Sequence, residues 1–289
     1  MRGGQRQVML LMQALREAGH ECWLGARENT PLGNAASAAG FLVYGATACE
    51  VWRRSKHVTL VHAHDARAHT IAAIASRCQF VVSRRVAFAV RQSLASHWKY
   101  RRPARFLAVS HFVAAQLHSA GISREKIDVV YDGVESHACF GEWNSEYPAV
   151  ALASADPRKG RDLVEEAAGL AGIRTVFSND LLNDLRRASM FVYITRSEGL
   201  GSAALVAMSL GIPVVASRVG GLPEVLGDPS GILVTNDPPE IASAMRRIVQ
   251  EPDLAHSLIE HGKRRIAECF TKEHLLRRTL ASYGRVLDT

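Results

Sequence analysis

The sequence predicts an α/β chain of two doubly wound units, each a parallel sheet covered by helices. Three observations carry this. Short apolar runs alternate with helical stretches along almost the whole chain, as in a sheet buried on both faces. The pattern lapses once, over Asp132–Tyr147, and then resumes. The 289 residues, 47% of them hydrophobic, suffice for two cores.

The elements follow in order. Val8, Leu11, Met12 and Leu15 form one apolar stripe, so Gln5–Ala18 is a helix, ended by Gly19. Cys22–Gly25, Phe41–Tyr44, Val58–Val61, Phe80–Ser83, Phe106–Val109 and Ile127–Tyr131 read as strands, with helices such as Arg67–Ser76 and Phe112–Ala120 between them. Beyond the lapse come strand Ala149–Ala153, helix Gly160–Gly169, strand Thr175–Ser178, helix Asn179–Ala188 and strand Met190–Ile194. Helix Gly201–Leu210 and strands Pro213–Ala216 and Gly231–Val234 follow. Helices Pro239–Val249, Leu254–Cys269 and Lys272–Leu287 close the chain. The expected domains are 1–140 and 141–289, the second including the terminal helices.

Composition narrows the function. No apolar run approaches the roughly 18–20 residues of a membrane helix, and the polar start does not read as a signal peptide. The five cysteines, Cys22, Cys49, Cys78, Cys139 and Cys269, are scattered without a C-x-x-C, which reads as reduced thiols in a cytoplasmic protein. Residues 1–145 hold 18 Lys+Arg against 10 Asp+Glu, while the rest hold 17 against 18. A basic first half points to an anionic partner: a phosphorylated acceptor, or the inner face of a membrane visited peripherally. Nucleic acid ranks lower, because RNP-type and zinc-finger motifs are absent.

Ligands of doubly wound sheets bind at the carboxyl ends of the strands, so the chemistry is sought there. Thr195–Ser202 follows an apolar strand and opens a helix. Its Gly199 and Gly201 permit close backbone approach, and the helix start around Leu200–Ser202 suits a diphosphate. Glu198 beside them could accept hydrogen bonds from sugar hydroxyls; a plain tight turn is the competing reading. Arg158-Lys159-Gly160 also joins a strand to a helix, and there Lys159 could meet a phosphate or simply be solvated. Gly220-Gly221 and Gly3-Gly4 are further close-approach candidates.

In the first half, His62-Ala63-His64-Asp65 ends a strand and Ser83-Arg84-Arg85 ends the next. A metal at the histidines lacks a full ligand set, so a histidine contacting a ligand is preferred. Arg84 and Arg85 are candidate acceptor or phosphate contacts, or surface arginines. The absence of G-x-S-x-G, P-loop and G-x-G-x-x-G patterns removes support for a serine hydrolase, a P-loop NTPase and an NAD enzyme.

Taken in order, these motifs resemble family 4 glycosyltransferases. The resemblance rests on Gly3-Gly4-Gln5, Ala108-Val109-Ser110, Asp132-Gly133-Val134-Glu135, Arg158-Lys159-Gly160, Ser197–Gly201, Gly211–Ala216, Gly220–Glu224 and Gly231–Val234. It implies a GT-B fold of two Rossmann-like domains, with a nucleotide-sugar donor bound between them. It further implies retention of anomeric configuration, no metal and no cofactor. Lys159 would neutralise the departing diphosphate. Glu198 would grip the sugar. Gly4, Arg158, Gly199, Leu200, Gly201, Ser202 and position 206 would line the donor, and His64 and His62 the reaction side. The acceptor would be a glycan or a lipid-linked molecule, in cell-envelope glycan synthesis.

The chain departs from that family in three ways. Val206 stands where a glutamate usually bonds the donor ribose, and Ser154 stands where an arginine is frequent. The family's first, central strand is missing before Gly3, and the stretch between Gly160 and Met190 is a strand–helix unit short. These departures motivate a second reading, a non-catalytic nucleotide-sugar binder. A GT-B-fold nucleotide-sugar epimerase is a third.

Overall fold

A computed structural model describes residues 1, 3–90, 93–135 and 142–288. The chain divides into two compact units, Met1–Gly133 with Lys272–Thr289, and Val134–Thr271.

The first unit opens with α1 (Gly3–Glu17) and alternates β1 (Trp23–Ala26), α2 (Pro31–Ala38), β2 (Leu42–Gly45) and α3 (Ala48–Arg54). It continues with β3 (Val61–Ala63), α4 (Ala66–Ala75), β4 (Phe80–Arg84), α5 (Leu94–Arg101), β5 (Arg105–Ala108), α6 (His111–Ser119) and β6 (Ile127–Val129). All pairings are parallel, in two pieces: β1–β2, and β3–β4–β5–β6 in that order. Among the described residues no strand links β1 to β3, and the strands of this unit form two separate sheets.

The second unit runs β7 (Ala149–Leu152), α7 (Arg161–Ala171), β8 (Thr175–Ser178), α8 (Leu181–Asp184), β9 (Met190–Tyr193), α9 (Ser202–Ser209), β10 (Val214–Ser217), α10 (Leu222–Ser230), β11 (Ile232–Val234), α11 (Pro238–Gln250) and α12 (Pro252–Cys269). Its strands form one parallel sheet in the order β11-β10-β9-β7-β8. The central β9 and β10 are buried along their whole length, which explains their unbroken apolar sequence. Ile241, Ala242, Met245 and Ile248 recur at helical spacing on α11 and are buried in the same core as Met190, Val192 and Val215.

One boundary is corrected. The last helix, α13 (Lys272–Leu287), read from sequence as part of the second domain, belongs to the first unit. Its Leu275 and Val286 are buried with Leu11, Val81 and Leu107. Lys272 Nζ lies 2.6 Å from Glu17 Oε2, and Ser282 Oγ donates to Asp128 Oδ2 at 2.7 Å. Periodicity gives the helix its apolar stripe but not the surface it will cover. The expected linker, 132–147, lies partly outside the described residues, as does Cys139.

Helices α2, α3, α5 and α10 were not anticipated. Thr30, Thr47 and Ser93 cap the first three, each side chain accepting a backbone N–H. Short or polar sequences hid their periodicity, and prolines inside α10 read as breakers although Pro223 stands where a helix start tolerates it. Among the described residues no helix is long and apolar enough to cross a membrane.

Candidate active site

The residues expected from sequence fall into two groups, one in each unit, gathered at the carboxyl ends of parallel strands except for Gly4 and Val206, which lie within helices.

In the second unit, the loops after β7 and β9 bring Lys159 and Glu198 together. Lys159 Nζ donates to Glu198 Oε2 at 2.8 Å, with side chains 30% and 17% exposed. Tyr193, the last residue of β9, donates its hydroxyl to the same Oε2 at 2.5 Å. Burial first, and then the Glu198 charge, raise the Tyr193 phenol well above its ordinary value, so it stays protonated and donates. The other carboxylate oxygen accepts from the Gly199 amide at 3.1 Å. Tyr193 is a residue the sequence reading missed; as an apolar-strand residue it carried no signal of its own.

Local sequence explains this geometry. Asp156 Oδ1 accepts from the Arg158 amide, and Pro157–Lys159 form a single tight turn. Gly160 follows at φ 59°, where a Cβ would come within 2.8 Å of Ile194. Arg196 and Thr195 both donate to the Arg158 carbonyl, at 2.7 and 3.0 Å, tying the two loops together. Asn236 Nδ2 donates to the Thr195 carbonyl at 3.0 Å, and Ser217 Oγ accepts from the Thr195 amide at 2.9 Å while donating to Asn236 Oδ1. The ends of β9, β10 and β11 are thus pinned to one another.

Gly201 caps α9 at φ 113°, where a Cβ would come within 2.5 Å of Leu222. Gly199, Leu200, Gly201 and Ser202 therefore form the tight entry to a helix whose amino end can bind an anion. Val206 lies one turn further along α9, on the same side as Ser202, and is half-buried. Arg158 is turned to Asp156, with Nη2 at 2.6 Å from Oδ2. The Gly220-Gly221 pair also makes a close backbone approach, but to protein. A Cβ on Gly220 would lie 1.9 Å from the Glu198 carbonyl oxygen, and one on Gly221 2.3 Å from that of Gly199. These glycines hold the Glu198 loop in place.

In the first unit, His62 and His64 on and after β3 lie against each other with ring centroids 3.9 Å apart and planes tilted by 34°. His62 Nδ1 bonds the Tyr283 hydroxyl at 2.7 Å and Nε2 bonds Ser83 Oγ at 2.8 Å. Both nitrogens of His62 are thereby occupied within the unit. His64 Nδ1 lies 3.1 Å from Arg85 Nη1, and Arg85 Nε donates to Asp132 Oδ1 at 3.0 Å. Burial, with Arg85 nearby, pushes His62 down to about 3; burial, His62 and Arg85 push His64 well below its ordinary value. Gly4, in the first turn of α1, faces Arg85, with a Cβ position 3.9 Å from Cδ.

The arginines are not loose surface charges. Arg84 donates to the Tyr100 hydroxyl at 2.9 Å and to the Phe88 carbonyl at 2.5 Å. Arg85 is committed to His64 and Asp132. Tyr283 was missed because it sits 221 positions from His62, on a helix assigned to the other domain. Among the described residues no group of three or more His, Cys, Asp or Glu is arranged to hold a metal.

A two-unit parallel α/β frame, with a helix amino end beside a lysine–glutamate pair at its strand ends, is the architecture of the GT-B fold. Family models agree: residues 1–137 match "Glycosyltransferase Family 4" and residues 147–251 match "Glycosyl transferases group 1". The chain belongs to this family. Among curated relatives, an MMP alpha-(1->4)-mannosyltransferase of Mycolicibacterium hassiacum is 30% identical over 130 residues, 44% of this chain and 30% of that protein. Glycosyltransferase 1 domain-containing protein 1 of Xenopus tropicalis is 27% identical over 132 residues, 43% of this chain and 38% of that one. The matches thus span about a third of those relatives' length. Anabaena HepE, solved in complex with UDP and glucose, superposes with a TM-score of 0.84 at 14% identity, covering 98% of this chain and 96% of that one, which shows the fold.

Proposed function

We propose that the chain is a retaining, metal-independent glycosyltransferase that takes its sugar from a nucleotide-diphosphate donor held by the second unit. The observation that carries this reading is the convergence of Lys159, Tyr193 and Glu198 beside the amino end of α9. A departing nucleoside diphosphate gains charge as the glycosidic bond breaks. A lysine ammonium and the free N–H groups of a helix end stabilise that charge without a metal. Glu198, clamped at both oxygens, presents a fixed acceptor edge to sugar hydroxyls. Lys159 rests on Glu198, and a bound diphosphate would draw it away. HepE was solved with UDP, so a uridine donor is the first to test.

Acceptor chemistry is assigned to the first unit, with His64 on the reaction side and a glycan or lipid-linked acceptor. Its basic composition supports peripheral contact with an anionic membrane face, as expected for cell-envelope synthesis in the cytoplasm. A second reading, a non-catalytic nucleotide-sugar binder, is favoured by one observation: Val206 offers no hydrogen bond where the family's ribose ligand stands.

The test is a thermal-shift screen with UDP, GDP, ADP and dTDP and their sugars, followed by transfer assays on the responding donor. A donor at about 100 times its Kd adds roughly 2.7 kcal/mol to stability. Lys159→Ala should keep its fold and lose transfer by about 100-fold or more, the scale of losing a group that stabilises transition-state charge. Full turnover in that variant would remove Lys159 from the mechanism. Donor binding without transfer to any acceptor would favour the binder.

A further inference from the structure

We infer that Arg85, anchored by Asp132, is a positioning residue that fixes His64 as a neutral Nε2–H donor, so that His64 gives a hydrogen bond to substrate and never accepts a proton from it. The role toward substrate rests on the glycosyltransferase reading above; the tautomer itself rests on contacts within the first unit.

A guanidinium has donors only and stays charged throughout the ordinary pH range. With Arg85 Nη1 at 3.1 Å, His64 Nδ1 must present its lone pair, and the ring proton is confined to Nε2. Protonating Nδ1 would set N–H against N–H and two positive charges side by side. Arg85 cannot easily swing away, because its Nε is held by Asp132 Oδ1 at 3.0 Å and the Asp132 side chain is only 4% exposed. Asp132 follows β6 and Arg85 follows β4, so two strand ends set the position of one side chain. His62 also lies against His64, its ring tilted by 34°, while both its own nitrogens are engaged by Tyr283 and Ser83. Of the four ring nitrogens in the pair, His64 Nε2 alone has no hydrogen bond among the described residues.

The charged and titratable groups around His64 act in one direction. His62 and Arg85 disfavour its protonation. Asp132 is spent on Arg85, Tyr283 from α13 is engaged by His62, and Asp65 is turned to the Ala68 amide at 2.7 Å, capping α4. A histidine held this way keeps the same hydrogen-bonding sense from neutral to mildly acidic pH. The usual ambiguity of an imidazole, which can donate or accept at either nitrogen, is removed before substrate arrives.

The experiment is nitrogen-15 NMR of the histidine rings in the full chain, with resonances assigned by His62→Gln and His64→Gln. The expected wild-type result is a single Nε2–H tautomer for His64, unchanged between about pH 8 and pH 5. Arg85→Met should give a tautomer mixture that titrates nearer the ordinary histidine value, and transfer should fall about 10- to 100-fold, the scale seen when a partner that orients a metal-bound histidine is lost. Arg85→Lys, which keeps a donor and a charge, should recover part of both. An Nδ1–H tautomer or a titration near the ordinary value in the wild type overturns the proposal. So does an Arg85→Met protein whose His64 signals match wild type. The ring measurement needs no substrate, so a wild type that transfers no sugar would defeat the functional reading while leaving the tautomer result to be judged separately.

Discussion

Lys159 and Glu198, 39 positions apart, meet with Nζ 2.8 Å from Oε2, because two strand-to-helix loops of one parallel sheet end side by side. Tyr193 adds a second hydrogen bond to the same oxygen. The carboxylate is therefore held by groups of the protein itself.

Tyr193→Phe tests that clamp. It removes one donor and leaves the ring, so packing changes little. A hydrogen bond to a charged group contributes about 1.5–3 kcal/mol, and the expected effect is a loss of roughly 10-fold in kcat/KM together with a modest fall in melting temperature. Steady-state kinetics with the responding donor would check it. Unchanged kinetics would mean that Lys159 and the Gly199 amide suffice to hold Glu198.

Gly220→Ala tests the backbone seat beneath Glu198. The new Cβ would lie 1.9 Å from the Glu198 carbonyl oxygen, at a residue with φ 58°. Left-handed backbone alone costs an alanine about 1–2 kcal/mol, and relieving the clash must shift the Glu198 loop. The urea midpoint should fall and donor binding should weaken together. A variant with full donor affinity would show that the loop can move without harm.

Val206→Glu tests the ribose side of the proposed donor site. Val206 occupies the half-buried face one turn beyond Ser202. A carboxylate there could accept from ribose hydroxyls, and affinity for the nucleoside diphosphate should rise about 10-fold, as one charge-assisted hydrogen bond would give. Calorimetry with UDP and its 2′-deoxy analogue separates a ribose contact from a general effect, since only a ribose contact loses its gain with the analogue.

Acid should destabilise the first unit. Burial and neighbouring charge bring His62 and His69 down to about 3 and His64 well below its ordinary value, so all three are neutral when folded. Their folded values lie below the unfolded one. The stability they permit is therefore complete above roughly pH 6.5 and is lost as the pH falls toward 3, at up to about 1.4 kcal/mol per pH unit for each. The urea midpoint should drop between about pH 7.5 and pH 5. His69→Phe, placed among Phe80, Tyr100 and Phe106, should flatten that dependence by about one proton. A pH-independent midpoint would show that the rings protonate without cost.

Much of this molecule is legible in its sequence. The two parallel sheets follow from apolar runs alternating with helical stretches, because a strand covered on both faces has no polar side to reveal. The strand-end positions of Lys159, Glu198, His64 and Arg85 follow from the same pattern, since loops after strands are where such sheets bind ligands. The ordered motifs identified the family. Tertiary structure alone decided the rest. It gave α13 to the first unit, because an amphipathic stripe does not name the surface that buries it. It turned Gly220-Gly221 from a ligand cradle into a seat for the Glu198 backbone, because a glycine's close approach has the same sequence whether it meets ligand or protein. It committed Arg84 and Arg85 to internal partners and joined Tyr193 to Glu198 and Tyr283 to His62, because hydrogen bonds between distant elements are fixed by packing in three dimensions and leave no spacing along the chain.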